Sequence, residues 1–188
     1  MLHIHVEECY AARMELIIHI DWRGPFTLAQ TQILTDAATD FGLYQVYAEH
    51  PVYGRCLVYL GRARSLTFGQ RVAQHRWDTG SEMDPAKVEI YVGRLKGQPI
   101  PSIDEQNRQI EMAEGLLIHS HAPAYNSHFI KEPPSGLTHG HIRIFNWGAA
   151  RLLNREVSGL MVTSASNQFR NYEIYHRRPV IQAQSDAG

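Results

Sequence analysis

Cysteine is scarce in this 188-residue chain, with only Cys9 and Cys56 present. Two thiols so far apart exclude a disulfide framework, and they lack the paired spacing of a thiolate metal site. No apolar run approaches the roughly 18 residues that a membrane-spanning helix needs. The opening MLHIHVEECY has no basic start followed by an apolar stretch, so no secretory signal is visible and a soluble, cytoplasmic protein is expected. An excess of positive charge is also missing, since the net charge is −1. That argues against a surface that is basic throughout. What is present is ordinary for a folded domain, at 44% apolar and 20% charged. Such a chain buries a core rather than staying disordered, and its length fits one domain with small additions.

The charges are unevenly spread. Residues 1–54 carry −5, 55–96 carry +4, 97–135 carry −3 and 136–188 carry +3. Among the 18 basic residues, lysine is the rare one, with three against 15 arginines. Arginine presents a planar fork suited to phosphate oxygens, whereas lysine presents a point charge. The arginine-rich centre points to an anion met locally, although ordinary surface arginines explain it equally well.

LHIHV (2–6) and MELIIHI (14–20) have β-prone character and predict a hairpin. Thr27 reads as the cap of a helix through LAQTQILTDAATD. GLYQVYA (42–48) and CLVYLG (56–61) read as strands joined by a turn, and Thr67 caps a short helix over 67–77. VEIYVGRL (88–95) is a further strand, and Ser102 with Glu105 forms a capping box opening a helix to about His119. The tail holds the strand-like pieces HIRIFNW, GLMVTS and YEIYH. This order indicates an α+β fold.

On the helix over 102–119, Glu114 is out of place. At about 100° per residue, Ile110, Leu117 and Ile118 lie within roughly 60° of it. A carboxylate inside an apolar stripe needs a cation, a hydrogen-bond network or a proton. A functional acid and a structural salt bridge to an arginine fit equally well. Arg71 and His75, four apart, share a helix face and would hold a phosphate and move a proton, or decorate the surface. Tyr44 and Tyr59 stand at matching ends of adjacent strands, where tyrosines ordinarily pack.

Their order says more than any one of them. Gly42-Leu43-Tyr44, Tyr59-Leu60-Gly61, Arg71 with His75, then EGLLI from Glu114 and HAPAYN ending at Asn126 resemble the GIY-YIG nuclease superfamily. Leu43 and Leu60 stand where that family usually has isoleucine. The likeness covers residues 41–127 as a nuclease core, with 1–40 and 128–188 as extensions. It implies a three-stranded antiparallel sheet flanked by helices, with further strands or a helix from the two extensions.

The resemblance also implies a metal-dependent DNA endonuclease, possible in a restriction-like form. Glu114 would be the protein ligand of one Mg²⁺ (or Mn²⁺), which keeps most of its waters. Arg71 would neutralise charge on the phosphoryl oxygens, and Tyr44 would help take a proton from water. Tyr59 would bind phosphate or position the water, Asn126 would hold the site together, and His75 would assist proton movement. Arg62, Arg64 and Arg76 would track the DNA backbone. One such site cuts one strand, so concerted double-strand cleavage predicts a homodimer. A non-catalytic nucleic-acid-binding module on the same fold is the alternative. The pairs His119/His121 and His139/His141 invite a zinc site, but surface histidines are the simpler reading.

Overall fold

The computed structural model describes residues 16–75, 84–97, 101–131 and 141–159. They form an α+β fold around one six-stranded mixed sheet. In chain order the strands are β1 (Leu16–Phe26), β2 (Gly42–His50), β3 (Gly54–Ala63), β4 (Glu89–Lys96), β5 (Ile142–Gly148) and β6 (Glu156–Ser158). The helices are α1 (Leu28–Gln32), α2 (Phe68–Ala73) and α3 (Ile103–His121), and a 3-10 turn spans Pro85–Lys87. The strand order is β3-β2-β4-β1-β5-β6. β3, β2 and β4 form an antiparallel trio. The sheet does not stop there. β1 adds antiparallel to β4, and β5 adds parallel to β1.

Alternation along the strands splits the core into two layers. On one face Leu43, Tyr47, Leu57 and Leu60 pack against Ile110, Ala113 and Leu117 of α3. On the other, Tyr44, Val46, Val58 and Val92 pack against Phe68 and Val72 of α2. Ile18, Ile20 and Trp22 extend the first layer across β1. Fully burying side chains of this size stabilises by about 1.5–3 kcal/mol each.

Thr27 and Thr67 both close capping boxes, with Gln30 and Gln70 answering three residues on. The α1 helix is nevertheless much shorter than expected. Asp36 is the cause, because its carboxylate accepts from Ala38 N and Thr39 Oγ1. Those local bonds offer the backbone an alternative to the helix. At α3, Ser102 accepts from Glu105 N, but Glu105 turns to Arg108 and Gln109 instead of completing the box. Of the other expected pieces, LHIHV, most of GLMVTS and YEIYH lie outside the described residues. Among the described residues, no helix is long and apolar enough to cross a membrane.

Candidate active site

The two tyrosines come together through β-sheet register. Tyr44 pairs with Gly61, and Tyr59 pairs with Val46 two residues along, so both phenols project from the same face. Next to them the pairing slips: Val46 opposes Tyr59 while Tyr47 opposes Leu57, which leaves Val58 as the extra residue. Their ring centroids lie 6.0 Å apart. Gly61 makes this possible. A Cβ there would lie 2.6 Å from the Tyr44 hydroxyl and 2.6 Å from the Tyr59 ring. The glycine of the second motif is thus the floor on which both rings rest.

Arg71 on α2 and His75, two residues past its end, reach the same face, although the helix stops at Ala73 instead of running to 77 as expected. The Tyr44 hydroxyl and His75 Nε2 share a hydrogen bond of 2.6 Å, and the His75 ring lies 5.2 Å from the Tyr59 ring. Burial, assisted by the nearby Arg71, holds His75 below the ordinary histidine range. Tyr44 is completely buried. Burial pushes its phenol far above the usual range, reinforced by Tyr59 and opposed by Arg71. Tyr59 keeps partial access. Burial raises it too, and the Glu114 carboxylate adds to that, while Arg71, the hydrogen bond from Tyr44 and Arg62 act in the opposite direction without cancelling the rise. Tyr59 and not Tyr44 is thus the phenol that meets solvent.

Glu114 approaches from α3, and it does not stand alone. Arg62 NH1 donates to Glu114 Oε2, and Arg62 NH2 lies 3.3 Å from Glu111 Oε1. Arg64 NH1 donates to Glu111 Oε2 at 2.8 Å. Arg62 and Arg64, expected to track DNA, are thus engaged with acids of α3, while Arg76 lies outside the described residues. Glu114 is 13% exposed and Arg62 28%. Burial raises the Glu114 carboxyl, and Arg62 counteracts it. Glu111 carries no motif of its own. Its only signal was its place three residues before Glu114, on the same helical face.

Arg71 is the centre of the arrangement. It acts electrostatically on Tyr44, Tyr59, His75 and Glu114 alike. Its own NH1 donates to Gln74 at 3.3 Å, and it forms no ion pair among the described residues. With Arg62, Arg64 and Ser65 it lines a cleft of about 190 Å³.

Asn126 works from behind. Its side chain accepts from Leu60 N and donates to Leu60 O, both at 2.9 Å. Tyr125 N also donates to Val58 O at 2.7 Å. The Pro-x-Tyr-Asn segment therefore pairs with the outer edge of β3 and fixes the residues on either side of Tyr59. Asn126 holds the strand and does not face the phenols.

The donor chemistry suits a hard cation: two neighbouring carboxylates, Glu111 and Glu114, bridged by Arg62. No group of three potential ligands occurs among the described residues. The histidine pairs do not form a zinc site there. His121 Nδ1 donates to Leu117 O and its Nε2 accepts from Asn154 N, so both ring nitrogens are used. His119 Nδ1 donates to Phe129 O, and His139 lies outside the described residues.

Comparison of the chain with protein-family models, with curated proteins and with solved structures finds no match.

Proposed function

We propose that this chain is a divalent-metal-dependent DNA endonuclease of the GIY-YIG type, hydrolysing phosphodiester bonds. One observation supports it above the others. Tyr44 of β2, Tyr59 of β3 and His75 just beyond α2 meet with ring centroids 5.2 to 6.0 Å apart, and Arg71 of α2 and Glu114 of α3 lie close enough to act on the phenols electrostatically. Such a set matches what in-line hydrolysis of a phosphate ester requires, namely a base, a cation for the phosphoryl oxygens and a metal-binding acid.

In this reading the scissile phosphate enters the arginine-lined cleft, where Arg71 meets charge building on its oxygens. Tyr59, the phenol with solvent access, orients the attacking water and accepts its proton. Tyr44 and His75 carry that proton away once the Tyr44 hydroxyl turns from Tyr59 to His75 Nε2, so that Tyr59 donates to Tyr44 and Tyr44 to the imidazole. Glu114, with Glu111 beside it, would hold Mg²⁺ or Mn²⁺. When bound, such an ion polarises the phosphate and stabilises the leaving oxygen. Water adds to phosphorus, the bridging P–O bond breaks, the departing oxygen takes a proton from solvent, and the proton taken from the attacking water is returned to solvent.

Supercoiled plasmid incubated with Mg²⁺ or Mn²⁺ provides the test. Nicking that disappears without metal and falls at least about 10³-fold in Glu114→Gln, with DNA binding kept, supports the enzyme. The pairing of Glu114 with Arg62 favours a second reading, a binding module whose acid is purely structural. DNA binding without nicking in either metal would select it.

A further inference from the structure

We propose that Arg62 is a latch on Glu114: its guanidinium occupies the carboxylate in the DNA-free chain and swings off before a divalent cation is held there. The inference rests on the nuclease reading and describes the regulation of that site.

The contacts of Arg62 are arranged for such a movement. One guanidinium nitrogen is on Glu114 Oε2, while the other is 3.3 Å from Glu111 Oε1. Releasing Glu114 thus leaves Arg62 with a second anchor one helical turn away. Glu111 is itself steadied from the far side by Arg64, at 2.8 Å. Arg62 also borders the cleft it shares with Arg71, so an arriving phosphate group meets its guanidinium without a long excursion. A cation and a guanidinium cannot use one carboxylate oxygen together, so each disfavours the other.

A phosphate that recruits Arg62 uncovers Glu114, which makes substrate and cation bind with positive coupling. By linkage, the coupling is the same in both directions. The free protein then holds its metal weakly and assembles the site on DNA. Residue by residue, Arg62 is a positioning group rather than a catalytic one.

Mn²⁺ titrated into the full chain without DNA, followed by the electron paramagnetic resonance of the free ion, tests the latch. Compared with wild type, Arg62→Gln is expected to bind Mn²⁺ about tenfold more tightly. Arg62→Lys keeps the charge but loses the two-handed fork, and is expected to show a smaller rise in the same direction. It carries the comparison if Arg62→Gln fails to fold. Arg108→Gln removes the same charge from α3, where Arg108 pairs with Glu105 and touches neither Glu111 nor Glu114, and its affinity is expected to stay close to wild type. An equal rise in Arg108→Gln would assign the effect to net charge and overturn the latch. Unchanged or weaker Mn²⁺ binding in both Arg62 variants, with Glu114→Gln abolishing binding, would also overturn it and leave the nuclease reading intact. Mn²⁺ binding indifferent to Glu114 in every variant would take down both.

Discussion

Tyr44 and Tyr47 lie three residues apart on β2, equally buried, and yet they do different work. Tyr47 faces α3's layer, donates to Gln45 Oε1 at 2.8 Å and accepts from Leu152 N at 3.2 Å. Arg151 lies over its ring at 5.3 Å, and burial pushes its phenol up to about 12. Its partners are an amide side chain and a backbone N–H, neither of which titrates. Tyr44 faces the opposite layer and ends on His75, with Tyr59, Arg71 and Glu114 close enough to be felt. One phenol is a peg, while the other belongs to a chain of groups that can exchange a proton. Burial alone does not separate them. The chemistry of their partners does.

The sharpest way to break that contrast is to remove each hydroxyl in turn. Tyr44→Phe is expected to lower cleavage by about 10²–10⁴ through loss of the relay, and to cost stability as well because His75 loses its partner. Tyr47→Phe is expected to cost stability alone. Cleavage should persist while stability falls by about 1–3 kcal/mol, because Leu152 N–H and Gln45 lose a partner. Equal cleavage losses in the two variants, measured on plasmid alongside thermal melts, would erase the distinction.

A smaller change probes the floor under the reactive pair. Gly61→Ala puts a methyl 2.6 Å from the Tyr59 ring and 2.7 Å from the Tyr44 ring, so about 1–3 kcal/mol of stability should be lost to overpacking. Cleavage should fall too, since the rings must separate. Denaturant titration reads the first effect and a nicking assay the second. Full activity in a stable Gly61→Ala chain would mean that ring contact is not needed.

The smallest effect concerns pH. His121 is held below the ordinary histidine range, chiefly by burial. Between the folded and unfolded titrations the unfolded chain binds the extra proton, so stability is lost as pH falls below about 6.5. His75 is shifted in the same direction and contributes to the same loss. Urea unfolding at pH 7.5 and 5.5 should show a smaller acid-induced drop in His121→Gln than in the native chain. An identical drop would exclude His121 as a contributor.

Much of the fold was legible beforehand, and the reasons are local. Alternating residues marked β4, two apolar runs around a turn marked β2 and β3, and Thr27, Thr67 and Ser102 each cap the helix expected of them. Where local signals misled, a longer-range contact won. Asp36 drew the chain out of the α1 pattern into a turn locked by Asp40, whose carboxylate meets Arg94 at 2.6 Å. The parallel pairing of β5 with β1 joins residues more than 100 positions apart, and nothing in either stretch names the other. Arg62 illustrates the same limit at the candidate site. Its neighbours along the chain mark it as a phosphate contact, while its partners in space are Glu111 and Glu114.

From its order of residues alone, this protein carried the identity of its chemical groups: two strand phenols, a helical arginine and histidine, and one acid misplaced on an apolar stripe. Side-chain periodicity and capping act over a few residues, so those groups could be assigned to strands and helices directly. Only the folded sheet decided that Tyr44 is sealed and Tyr59 is open, that Asn126 grips Leu60, and that Arg62 covers Glu114. Those outcomes depend on register between strands and on which side chain reaches a charge first. Such choices are made by packing across the whole domain, where burial and ion pairing outweigh the preference of any single segment.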